Sequence, residues 1–291
     1  MIGKIKYILR KIFPNLIAKI IMVKDALPVN REPMETPQGF KLIGHKHMES
    51  GIFEPGETKI FSKIMSSVDL VINVGANIGY YSCIALKHNK KVVAFEPITR
   101  NVNYLLKNIR ANGWQKNIEI FPIALGKEIG IIEMFGGGTG ASVIQGWSGT
   151  HQSHVQLIPC STMDSVLGDR FEDESFLIMV DIEGAEKILL EGSNIILNMD
   201  TKPIWLMEIS ISVNQPKGQR INPDLMFVFN EFWSRGYEVW TTHSEYRIVK
   251  KKEVQAIIDG GNDTLWGDTF LFFDRERYGN TEVVKYLDSL A

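Results

Sequence analysis

The stretch Val71-Ile72-Asn73-Val74-Gly75-Ala76-Asn77-Ile78-Gly79-Tyr80-Tyr81-Ser82 constrains this chain more than any other. An apolar run with the length of a buried strand passes into a glycine turn and then into a helical pattern. Gly75 and Gly79 let the backbone pass close to a ligand, and the helix that follows points unpaired N–H groups outward. The spacing is G-x-N-x-G and not the G-x-G-x-x-G that sets a helix N-terminus against a pyrophosphate, which argues against NAD or FAD. Asn77 in the middle of the turn suits a ligand without a diphosphate.

From Val68 onward, apolar runs alternate with helical patterns, the appearance of βαβ units around a parallel sheet. The pattern predicts strands near 69–74, 91–95, 118–123, 176–181, 203–209, 237–241 and 268–273. Helices are predicted near 77–88, 99–112, 184–191 and 223–235, with a further one at 251–259 and a short one at 281–290. Residues 28–58 carry prolines at 28, 33, 37 and 55 and read as an irregular connector with short strands. The chain therefore divides into residues 1–60, an N-terminal extension, and residues 61–291, the α/β domain.

The first 25 residues repeat apolar side chains at helical spacing, and their charges before Asp25 are all positive: Lys4, Lys6, Arg10, Lys11, Lys19 and Lys24. Two fates are open to such a helix. It packs on its own domain or on a twin subunit in a homodimer, or it lies on an anionic membrane surface. No apolar run reaches the length of a bilayer span, and no small-residue cleavage site follows the segment, so a cytoplasmic protein is expected, with peripheral contact at the inner membrane face as the variant. The formal net charge of -2 gives no basic field for nucleic acid. Cys83 and Cys160 match no metal-ligand spacing and fit a reducing compartment.

Candidate site residues fall at strand ends, where open α/β sheets bind ligands. Val92-Val93-Ala94-Phe95 ends in Glu96-Pro97, 21 residues after Gly75, where a carboxylate can accept hydrogen bonds from ribose hydroxyls; a helix-start charge is the plain alternative. The run at 176–180 ends in Asp181-Ile182-Glu183-Gly184-Ala185-Glu186, the next in Glu208, and the one after is followed by His243. Asp181, Glu183, Glu208 and His243 are the catalytic candidates, as bases for an acceptor proton. Asp181 and Glu208 are the pair that could hold Mg²⁺. Negative charge in the first turn of a helix is the plain reading of Glu183 and Glu186, and a loop histidine that of His243. Gly136 to His151 reads as a mobile glycine-rich loop over the site, with His151 and His154 as lesser candidate bases.

These pieces in this order resemble the FkbM family of methyltransferases over roughly 68–273. The resemblance rests on Asn73-Val74-Gly75-Ala76-Asn77-Ile78-Gly79, Phe95-Glu96-Pro97 with Asn101, Leu105, Asn108 and Asn112, Ala124-Leu125-Gly126, Thr162-Met163-Asp164, Asp181-Ile182-Glu183-Gly184-Ala185-Glu186 and the strand ending in Glu208. It implies a Rossmann-like class I methyltransferase fold: a mostly parallel seven-stranded sheet with helices on both faces and a terminal hairpin-like strand pair. It also implies S-adenosylmethionine as donor and a sugar or natural-product hydroxyl as acceptor, as in surface polysaccharide synthesis. By position, Asn73, Gly75, Ala76, Asn77, Gly79, Glu96, Pro97 and Ala124 would hold the donor, and Asp181, Glu183 and Glu208 would face the acceptor. The expected activity is O-methylation of a glycan or its precursor. Rivals are a methyltransferase of another natural product and a non-catalytic donor-binding partner protein. Two departures stand out: the family usually has Asp at position 73 and Lys at position 179, where this chain has Asn and Met. The first removes a charge expected near the donor's amino group, the second a cation that could steer the acceptor.

Overall fold

A computed structural model describes residues 30–137, 140–150, 155–243 and 246–290. The helix expected in the first 25 residues, His151 and His154 lie outside the described residues.

The strands are β1 (Met34–Glu35), β2 (Lys41–Leu42), β3 (Leu70–Val74), β4 (Lys91–Phe95), β5 (Ile118–Phe121), β6 (Ala124–Leu125), β7 (Gly130–Phe135), β8 (Val155–Ser161), β9 (Phe176–Val180), β10 (Ile204–Glu208), β11 (Glu238–Thr241) and β12 (Thr269–Phe273). The principal helices are α1 (Pro55–Ile64), α2 (Tyr80–Lys87), α3 (Thr99–Ala111), α4 (Glu186–Glu191), α5 (Leu225–Trp233), α6 (Lys251–Gly260) and α7 (Glu282–Asp288). Seven strands form one sheet in the order β11-β12-β10-β9-β3-β4-β5. All neighbours are parallel except where β12 runs antiparallel between β10 and β11. This is the hairpin-like terminal pair that the resemblance implies.

The central strands are apolar except for Asn73 in β3 and the terminal Glu208 in β10, because both faces are covered. Leu70, Ile72, Val74, Phe176, Ile178, Val180, Trp205 and Met207 enter one core layer, which α5 closes with Phe229 and Phe232. Val71, Leu177, Met179, Ile204 and Leu206 enter the other, beneath α1 and α2. The strand runs therefore show no alternation of polar and apolar residues, and their ends leave the core together at one edge.

Three features differ from the sequence reading. The connector does contain short strands, but it ends in a helix, α1, because Pro55 at its first position fixes a helical φ and Ile60, Phe61 and Ile64 present an apolar face to the sheet. A three-stranded sheet, β6-β8-β7, precedes β9 where no strands were expected. The glycine-rich segment is also anchored in its described part: Phe135 and Ser142 exchange backbone hydrogen bonds of 2.7 and 3.0 Å, and Trp147 is buried. No helix among the described residues is long and apolar enough to cross a membrane.

Candidate functional site

The parallel strands β4, β3 and β9 end side by side, and a cleft of about 600 Å³, counted with its open mouth, lies over their ends. Gly75 takes φ +81° and its N–H, like that of Ala76, donates to the Phe95 carbonyl at 2.9 Å. A Cβ there would overlap the Asp181 carbonyl oxygen, so only glycine lets the β3 turn approach β9. Gly79 is the left-handed N-cap of α2, and a Cβ there would meet Leu105 of α3.

Glu96 closes the turn from the neighbouring strand. Its carboxylate accepts from the Asn77 N–H at 2.8 Å, the Ile98 N–H at 2.8 Å and Asn101 Nδ2 at 3.2 Å. It is only 4% exposed, and burial pushes its pKa up to about 7 against those three donors. Asn77 holds φ +51°, and its Oδ1 is buried without a hydrogen-bond partner while the residue lines the cleft. Ile98, Ile123, Ala124, Leu125, Met134 and Val143 supply an apolar wall.

Asp181 and Glu183 line the other end of the same cleft. Glu183 sits at φ +53°, a conformation unusual for a glutamate, and Trp147 Nε1 donates to its Oε2 at 2.7 Å. Ser142 Oγ donates to its carbonyl at 2.6 Å, and the Trp147 ring packs where a Cβ on Gly184 would fall. The anchored glycine-rich segment thus clamps this loop. Glu186, 1% exposed, accepts from the Gly184 N–H at 3.0 Å and acts within the turn. Glu208 ends β10, beside Asp181. Burial and then mutual repulsion raise both pKa values, Asp181 against Glu183 and Glu208 against Asp181.

Of the expected donor residues, Gly75, Asn77, Glu96, Pro97 and Ala124 line the cleft, while Gly79 and Ala76 shape the turn behind it. Asn73 does not reach the cleft. It is 3% exposed beneath the turn, where its Nδ2 donates to Ser82 Oγ of α2 at 2.9 Å. Met179, 3% exposed, lies in the same core layer and is the register partner of Asn73 on the adjoining strand. The two departures are therefore one feature of the core, and neither side chain lines the cleft.

His243 stands apart from the cleft lining. Its ring packs where Gly267 lacks a side chain, Nε2 lies 3.3 Å from the Leu265 carbonyl, and Glu57 feels its charge. Among the described residues, no group of three or more His, Cys, Asp or Glu side chains is arranged to hold a metal ion. Repulsion from Asp181 contributes to the raised pKa of Glu208.

The sequence reading missed Glu54, Glu57 and Asp268. Asp268, just before β12, contributes to the raised pKa of both Glu208 and Glu183. Glu54 accepts from the Tyr81 hydroxyl at 2.7 Å, and burial raises it to about 7. The signal available was Glu54-Pro55, the start of a helix inside a segment taken as irregular.

These shifts fix the sign of a pH effect. Glu54, Glu96 and Glu186 rise to about 7, and Asp181 and Glu208 also rise. A raised carboxyl favours the fold fully below its unfolded pKa, and that contribution is lost as pH climbs through the folded value. The ligand-free protein is expected to melt at a higher temperature near pH ~5.5 than near pH ~8, against the usual behaviour of paired carboxylates. Melting curves across that range check this; equal stability at both ends contradicts the burial assigned to these groups.

The sheet order with one antiparallel strand next to the edge, the glycine turn after β3 and the acid closing β4 are those of the class I methyltransferase fold. A family profile described as the Methyltransferase FkbM domain matches residues 73–239, more than half of the chain, and the chain belongs to that family. Membership of that methyltransferase family implies S-adenosylmethionine as the donor. No curated protein matches it. Among solved structures it is similar to an FkbM methyltransferase from Methylobacillus flagellatus, at 17% identity and a TM-score of 0.45 over 71% of this chain. The match spans 44% of that protein's length. It is also similar to a precorrin-6y C5,15-methyltransferase from Geobacter metallireducens, at 9% identity and a TM-score of 0.40 over 80% of this chain and 91% of the other. A ribosomal protein L11 methylase from Lactobacillus delbrueckii subsp. bulgaricus gives 9% identity and a TM-score of 0.37 over 75% of each chain.

Proposed function

We propose that the protein transfers a methyl group to a hydroxyl of a sugar in a glycan or glycan precursor. The observation that carries this reading is the pair Asp181 and Glu208. They end adjacent strands beside the donor cleft, and among the described residues neither side chain has a hydrogen-bond or ion-pair partner. Partly buried carboxyls left in that state suit a ligand rich in hydrogen-bond donors, as a sugar is.

The cleft fits the donor. Glu96 has acceptor capacity left for a ribose hydroxyl, Asn77 Oδ1 lacks a donor, and the apolar wall suits a flat base. Bound S-adenosylmethionine supplies a methyl group on a sulfonium, so no acid is needed for the leaving group. The chain's tasks are to orient the acceptor and to take its proton. Asp181 is the group placed to take the hydroxyl proton, and Glu208 stands beside it, its pKa raised by burial and then by Asp181. Glu183, held by Trp147, would fix a neighbouring hydroxyl.

The test is transfer of radiolabelled methyl to a panel of glycans, glycan precursors and unrelated natural products, with and without Mg²⁺. The expected product is an alkali-stable methyl ether on a sugar. Asp181→Asn is expected to lower turnover by about 100-fold or more while S-adenosylhomocysteine still binds. Methylation confined to amines or to non-sugar products, or an unaffected Asp181→Asn variant, would reject this reading.

A further inference from the structure

We propose that the acidic basin beside the donor cleft makes this protein favour the cationic methyl donor over its neutral demethylated product. The inference rests on the donor site proposed above. With the ribose at Glu96 on β4, the rest of the donor would lie along the cleft, whose lining continues past Gly75 on β3 to Asp181 and Glu183 after β9. Around that end stand Glu208 of β10 and Asp268, whose carbonyl receives the Ile209 N–H at 2.5 Å. Glu54 arrives from outside the region matched by the family profile, tied down by the Tyr81 hydroxyl.

Backbone strain indicates that two of these positions are built and not incidental. Glu54 takes φ 40°, ψ 66° and Glu183 takes φ 53°, left-handed conformations that cost a glutamate free energy and persist only when surrounding contacts impose them. No salt bridge among the described residues involves Glu54, Glu57, Asp181, Glu183, Glu208 or Asp268. His243 acts on Glu57 from the rim of this cluster. S-adenosylmethionine and S-adenosylhomocysteine differ by a methyl group and one positive charge, so that charge meets carboxyls that no salt bridge among the described residues neutralises.

Proton linkage gives an independent signature. The carboxyls of the basin are Glu54 and Glu57 at the start of α1, Asp181 and Glu183 of the β9–α4 loop, Glu208 of β10 and Asp268 before β12, and Asp181 also feels Glu96 and Glu186. Burial and repulsion hold most of them protonated to higher pH than usual. A cation entering the basin draws them toward ionisation, so donor binding releases protons that product binding does not.

Calorimetric titration of the full chain with S-adenosylmethionine and with S-adenosylhomocysteine, in two buffers of different ionisation enthalpy, tests this. The expected result near neutral pH is a preference of about tenfold or more for the cationic ligand, with the larger proton release. Glu54→Gln is expected to shrink the preference while product affinity stays. Equal affinities with equal proton release overturn the proposal even where the variant does not fold. Binding of neither ligand overturns the donor-site reading, and the proposal with it.

Discussion

Glu96→Ala is expected to weaken binding of S-adenosylhomocysteine by about 100-fold or more, the effect of losing charge-assisted hydrogen bonds to a ribose. Two losses combine. The variant removes the acceptor at the end of β4, and it leaves the N–H groups of Asn77 and Ile98 and the Asn101 amide, all now bound to the carboxylate, without their partner. The turn that carries Asn77 then relaxes, so donor affinity falls further than the ribose contact alone would explain. Glu96→Gln separates the two, since it keeps the shape but faces the same donors with an amide NH₂. In the wild type the carboxyl has its pKa near 7, so affinity should rise as pH climbs through that value, and the rise should vanish in Glu96→Gln. Calorimetry from acidic to alkaline pH checks both statements. A change of less than about threefold in Glu96→Ala would place the ribose elsewhere.

Most of the sheet was legible because its strands are buried on both faces and so read as unbroken apolar runs. β3, β4, β9, β10, β11 and β12 all fall within a residue or two of the predicted spans. The glycine turn and Glu96 were legible for a related reason: both sit where an apolar run stops, and topology brings those ends together. What sequence hid was anything whose meaning depends on a distant partner. Glu54 belongs to the site only because Tyr81 and the β9 loop lie against it. Trp147 looked like part of a mobile lid because its partners, Gly184 and Glu183, are more than thirty residues away. His243 looked like a candidate base because it follows a strand, yet the space beside Gly267 holds its ring outside the cleft lining. The β6-β8-β7 sheet was missed because its strands flank a glycine-rich segment that reads as loop.

Asn73 and Met179 show the same dependence on partners, and they yield the second large prediction. Each looked like damage to the site: a missing charge at the donor, a missing cation at the acceptor. Instead they are register partners on β3 and β9, in the core layer beneath α2. The Asp and Lys that the family usually carries there would face one another as a buried ion pair. Replacing both partners with neutral residues is tolerable, whereas removing one leaves an uncompensated buried charge. Restoring one partner alone should therefore be harmful: Asn73→Asp and Met179→Lys are each expected to destabilise by about 3 kcal/mol, although Ser82 Oγ can soften the first by donating to the new carboxylate. The double variant should recover to within about 1 kcal/mol of wild type, with donor affinity little changed throughout, because neither side chain lines the cleft. Urea denaturation of the four proteins closes the cycle. Additive losses in the double variant would mean that the two positions do not act as a pair. A large loss of donor affinity in a folded Asn73→Asp variant would return position 73 to the donor site.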